Sequence, residues 1–131
     1  MWHVAQLGMA RPLVLFASGA GVGRVVESWR RGGLVPAGVD VTEPDLRSAL
    51  LAETALAELR MAGIPVSLRL APNTGTPTRL EIAGVLGQRR DALYMLAGPS
   101  AFVLRLQRML HGFGVEAAEL TGRSRITCAA A

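Results

Sequence analysis

Lysine is absent from this chain: all 14 basic residues are arginine. Against 10 acidic residues they leave a net charge of +4, scattered along the sequence with pairs at Arg30-Arg31, Arg89-Arg90, Arg105/Arg108 and Arg123/Arg125. A nucleic-acid surface usually carries a basic stripe with aromatics between the charges. Only 5% of the residues are aromatic, so the composition points away from a nucleic-acid partner, and the arginine-only usage reads as the coding bias of GC-rich DNA. Cysteine is as scarce. A lone Cys128 builds no disulfide framework within the chain and no metal cluster, which fits a reducing, cytoplasmic setting. His3 and His111 have no nearby Cys or acidic cluster and suggest no metal site. No uncharged apolar run reaches the roughly 18–20 residues of a membrane span; the longest, Pro12 to Gly23, is too short and too glycine-rich. Attachment to a membrane would then run through partner chains. Met1 to Ala10 contains no Lys or Arg, and no export signal is read there.

What is abundant is apolar. Hydrophobic residues make up 50% of the chain and charged ones 18%, a balance that excludes disorder and implies a well-buried core. A mean hydropathy of +0.34 is high for a chain without a membrane span. The excess reads as surface covered by other protein chains or by copies of this one. The 131 residues suit a single domain over 1–131.

The order of patterns predicts the fold. Pro12 to Ala17 and Ala92 to Ala97 are short continuous apolar runs, as in strands buried on both faces of a parallel sheet. Gly38 to Thr42 and the alternating Pro65 to Leu70 add two more strands. Glu119 to Thr121 and Arg125 to Cys128 are candidate last strands. Helices are expected over Arg24–Arg31, ended by Gly32-Gly33, and over Leu46–Met61, opened by Glu43-Pro44-Asp45 and stopped by Gly63. In the latter, Leu46, Leu50, Leu51, Leu56 and Leu59 recur at helical spacing. Leu80–Gln88 is a shorter helix after the loop Pro72–Thr78. Ala101–His111 is a fourth, with Ser100 as N-cap and Gly112-Phe113-Gly114 at its end. Strands alternating with helices imply an α/β fold: one three-layer, Rossmann-like domain with a five-stranded, mostly parallel sheet and helices on both faces.

In such a sheet, ligands bind beyond the carboxyl ends of the strands, where the strand order reverses. Two glycine turns follow apolar strands here: Ser18-Gly19-Ala20-Gly21-Val22-Gly23, and Ala97-Gly98-Pro99-Ser100. If their strands are neighbours, both turns line one crevice. The helix after the first would aim free N–H groups at an anion such as a pyrophosphate, with Gly19 and Gly21 allowing close approach. The same glycines equally suit a tight turn with no ligand. Glu43 lies where an acid could accept ribose hydroxyls and disfavour a 2′-phosphate, or could serve simply as a helix N-terminal acid. Arg24 reads as a solvated or interface arginine that could also meet a phosphate.

Taken in order, Leu13 to Gly23 with its helix, Glu43-Pro44-Asp45-Leu46 through Ala57-Glu58-Leu59, Tyr94-Met95-Leu96-Ala97-Gly98-Pro99, and Phe113-Gly114-Val115 resemble the nucleotide-binding half of the ferredoxin–NADP reductase family. The resemblance runs from about Arg11 to Leu120. It implies that Ser18, Gly19, Ala20, Gly21, Val22, Glu43, Gly98 and Pro99 face a NAD(P)H cofactor. It also implies a flavin as hydride acceptor, because the nicotinamide half holds only the donor. The departures shape the expected function. The family's Thr-Pro is Gly23-Arg24, its cysteine beside the nicotinamide is Ala97, and Arg123 and Arg125 fall roughly where its closing acid and aromatic belong. Its flavin-binding barrel has no counterpart in this sequence. The expectation is a non-catalytic accessory or interaction subunit of an electron-transfer assembly, with no firmly bound cofactor and no catalytic residue. The alternative is a NAD(P)H-binding subunit that passes hydride to a flavin on a partner chain.

Overall fold

A computed structural model describes residues 11–89, 91–120 and 126–128. The expectations attached to His3 and the rest of Met1–Ala10, to Arg90, to Thr121, Arg123 and Arg125, and to the tail 129–131 lie outside the described residues.

Strands β1 (Leu13–Ala17) and β4 (Leu93–Ala97) sit side by side in the middle of the sheet, paired in parallel with Leu13 opposite Leu93 and Ala17 opposite Ala97. Their apolar runs are uninterrupted because both faces are covered. Leu15 and Ala17 pack with one core, Val14 and Phe16 with the other. Each large side chain so buried contributes roughly 1.5–3 kcal/mol. From β1 the chain passes through helix α1 (Ala20–Arg30) to β2 (Gly38–Glu43), then through α2 (Leu46–Met61) to β3 (Val66–Leu70) at the sheet edge. Helix α3 (Arg79–Gln88) carries it back across to β4, and α4 (Ser100–Gly112) leads to β5 (Ala117–Leu120). A sixth strand, β6 (Ile126–Cys128), pairs antiparallel with β5, so the order is β3-β2-β1-β4-β5-β6. The sheet is thus five parallel strands with one antiparallel strand added at the edge. Helices α1 and α2 cover one face, α3 and α4 the other, which is the expected doubly wound, Rossmann-like architecture. The strand order reverses between β1 and β4, and the two glycine turns meet there.

Three local expectations are corrected. Helix α1 begins at Ala20 rather than Arg24, so Gly21, Val22 and Gly23 form its first turn and only Gly19 remains outside. Ser100 is the first residue of α4 rather than its cap; Pro99 holds the N-cap position, with no side-chain cap bond. In α2, Leu56 and Leu59 are buried with Ala49 and Ala52, whereas Leu46, Leu50 and Leu51 are exposed. The start of α2 follows the expectation: Asp45 accepts a hydrogen bond of 2.8 Å from the Ser48 N–H.

Candidate functional site

The crevice is built by two strand exits held together by main chain. The Ser18 N–H donates to the Ala97 carbonyl at 3.0 Å, continuing the β1–β4 pairing one step past the strands. Gly19 then turns the chain with φ at 56°, a left-handed conformation that glycine adopts at no steric cost. Gly21 is required for a different reason: a Cβ there would lie 2.0 Å from the Ala97 oxygen and 2.4 Å from the Gly98 nitrogen. The first turn of α1 therefore rests directly on the backbone of the β4 exit.

The N-terminus of α1 carries an internal anion. Both carboxylate oxygens of Glu43 accept from the Gly19 N–H at 3.2 Å, and the Ser18 side chain also hydrogen-bonds Glu43. Glu43 is the last residue of β2 and only 2% exposed. Burial pushes its carboxyl above the usual range, with the Gly19 N–H and Ser18 partly offsetting the rise. Further along the turn, the Gly21 N–H donates to the Ser18 carbonyl at 3.0 Å and the Val22 N–H to that of Gly19 at 3.1 Å. Across the crevice, the half-buried Arg24 side chain reaches the Gly98 carbonyl at 3.5 Å.

Six of the eight expected site residues come together: Ser18, Gly19 and Gly21 against Gly98 and Pro99, with Glu43 beside them. Gly98 has a packing reason of its own, since a Cβ there would lie 2.7 Å from the Phe102 ring. Ala20 is exposed at the start of α1, and Val22 turns into the core between α1 and α2. Beside Glu43 a cleft of about 190 Å³ opens between the two helices, lined by Gly19, Val22, Ser48, Leu51 and Ala52 among others. That volume lies below the roughly 300–1,000 Å³ typical of small-molecule sites.

Ser48 and Leu51 were not anticipated as lining residues; their only signal is that they occupy the first two turns of the helix that Asp45 opens. A second polar cluster also escaped notice, on the face of β2 and β3 turned toward α3. Buried Asp40 accepts from both terminal nitrogens of Arg69, at 2.9 Å for Nη2, and from the Ser67 hydroxyl at 3.1 Å. Arg69 Nε lies 3.3 Å from Glu81. The available signal was the alternation of Asp40 and Thr42 in β2 with Ser67 and Arg69 in β3, polar residues at period two in otherwise apolar strands.

Among the described residues, no group of three or more His, Cys, Asp or Glu could hold a metal ion, and no helix is long and apolar enough to cross a membrane. No protein-family model, curated protein or solved structure matches this chain.

Proposed function

We propose that this chain is a non-catalytic interaction subunit that keeps a nucleotide-binding architecture without a working cofactor site. The observation that carries the reading is the Glu43 carboxylate on the Gly19 N–H, with both oxygens at 3.2 Å. A helix N-terminus attracts anions through its free N–H groups and dipole. Here that attraction is met from within, and a pyrophosphate approaching the turn would meet a buried carboxylate. Arg24 spanning to Gly98 narrows the same crevice, and Ala97 offers the nicotinamide position no thiol. The setting in an electron-transfer assembly rests on the resemblance to the reductase family alone. Calorimetric titration with NADH and with NADPH at millimolar concentration tests the reading. No heat of binding is expected, and dissociation constants in the micromolar range would overturn it.

A second reading is favoured by where Glu43 stands. At the carboxyl end of β2, beside Ser48 and the cleft, it occupies the place from which an acid could accept ribose hydroxyls. On this reading the chain is a NAD(P)H-binding subunit that passes hydride to a flavin on a partner chain, and nucleotide displaces the Gly19 bond. Binding that weakens at least tenfold in Glu43→Ala would select it.

A further inference from the structure

We propose that the open edge of the sheet at β3, together with the outer face of α2, is a two-fold interface on which a second copy of this chain pairs antiparallel. The inference goes beyond the interaction-subunit reading. It concerns an edge two strands away from β1, so a nucleotide titration and a measurement of assembly fail separately.

Among the described residues the edge is open, and the ladder register fixes which of its groups point outward. Val39 N–H donates to the Pro65 carbonyl and Ala71 N–H to the Glu43 carbonyl, so residues 65 and 71 turn toward β2. By the alternation of a parallel ladder, Ser67 and Arg69 do so too. Val66, Leu68 and Leu70 therefore direct their N–H and C=O groups away from the sheet. Arg60 Nη1 donates to the Val66 carbonyl at 3.1 Å; no strand among the described residues pairs with this edge. Proteins guard such edges with lysine, proline, bulges or inward charges. Between Val66 and Leu70 there is no proline or lysine; the guards present are Arg69, turned inward onto Asp40 and Glu81, and Arg60 on the Val66 carbonyl.

The edge is self-complementary. Val66-Ser67-Leu68-Arg69-Leu70 reads apolar, polar, apolar, polar, apolar in both directions about Leu68. An antiparallel copy centred there makes Leu68 meet Leu68 and Val66 meet Leu70 as hydrogen-bonded pairs, apolar side chains together on the α2 face. The Val66 carbonyl passes from Arg60 to the copy's Leu70 N–H, and Arg60 keeps Glu53. On the other face the copy's Arg69 falls opposite Ser67, whose hydroxyl rests on Asp40. Each Arg69 already serves two carboxylates, Asp40 and Glu81, so a second guanidinium brings charge of the missing sign.

The same axis carries α2 onto its copy at the right distance. Helix α2 packs over β2 and β3, and adding a β3 copy at one strand spacing places the two helices about two spacings apart, ~10 Å. Helices pack at about 8–10 Å. Apolar side chains stand exposed on that side, Leu46 at 64%, Leu50 at 62% and Met61 at 88%, with Leu70 at 51%, beside the Glu53–Arg60 ion pair that reaches the Val66 carbonyl. Leu46, Leu50 and Met61 form one stripe with Thr54 and Ala57, nearly symmetric about Thr54, so Leu46 meets the copy's Met61. The patch, one five-residue strand and one helix face, is smaller than the roughly 20–30 residues a side of a standard interface, so a weak, concentration-dependent association is expected.

Sedimentation velocity of the full chain, from about 1 to 200 µM, should show a monomer–dimer equilibrium. Leu50→Arg and Leu70→Lys should each weaken dimerisation at least tenfold, with circular dichroism unchanged because both positions are exposed. Leu80→Lys, on α3 across the sheet, should leave it as it is. Hydrogen exchange should show the Leu68 and Leu70 amides gaining protection as concentration rises. A monomer at the highest concentration overturns the proposal, whether or not another protein binds the edge. So does a dimer indifferent to both α2 and β3 substitutions.

Discussion

Gly21 is helical yet cannot become alanine without moving the strand beside it, since its Cβ would fall 2.0 Å from the Ala97 carbonyl oxygen. Backbone cannot rotate away as a side chain can, so Gly21→Ala is expected to cost about 3 kcal/mol or more. Two residues on, Gly23 is also helical but faces open space. There alanine should stabilise by about 0.5–1 kcal/mol, because glycine weakens a helix interior. Urea-unfolding midpoints of the two variants, moving in opposite directions, check the pair. The sequence marks both glycines alike, and only the contact with Ala97, 76 positions later, separates them. For the same reason the glycine run read as a turn with a helix from Arg24, while α1 starts at Ala20. Glu43 was legible as the acid at the second strand's exit. Its bond to Gly19, 24 residues away, joins the end of β2 to the N-cap of α1 and leaves no local pattern.

Helix α2 shows what periodicity can and cannot say. Its bounds, Leu46–Met61, follow from the Asp45 cap and the Gly63 stop. Its buried side does not follow, because leucines lie on more than one face. Leu56, fully buried between α1 and the sheet, should cost about 2–5 kcal/mol when cut to alanine. Leu50→Ala should stay within about 0.5 kcal/mol in the monomer, as exposed positions do. Thermal unfolding at low concentration distinguishes the two, and equal losses would mean that the helix buries another face. Strands β1 and β4 were the more legible elements because cover on both faces forces a continuous apolar run. Strand β3, half-covered at an edge, showed its alternation, and that alternation hid the Asp40–Arg69 cluster by making Arg69 look like ordinary solvent-facing polarity.

Across the whole molecule, stability should bend with pH through two opposed sets of carboxylates. Glu43 and Asp40 are raised above their ordinary values, chiefly by burial. Asp45, Glu58 and Glu81 are lowered, chiefly by hydrogen bonds from Ser48, Arg30 and Thr78 respectively. A raised acid holds its proton more tightly when folded. Its contribution is therefore full below the unfolded pKa and is lost as pH climbs through the folded one. A lowered acid does the reverse, losing its contribution on acidification. Glu43→Gln keeps an acceptor for the Gly19 N–H and removes one descending component. Denaturation midpoints taken from pH 4.5, the ordinary value for a glutamate, upward to neutrality should then fall less steeply in the variant. Parallel curves would show that Glu43 does not titrate differently on folding. The contact of Gly21 with the β4 exit has a mechanical side too. With Ser18 hydrogen-bonded to Ala97 and Gly21 resting on the Ala97–Gly98 backbone, the two halves of the sheet meet main chain on main chain. The width between the two turns is therefore set by backbone contact, with the Arg24 side chain laid across it to the Gly98 carbonyl.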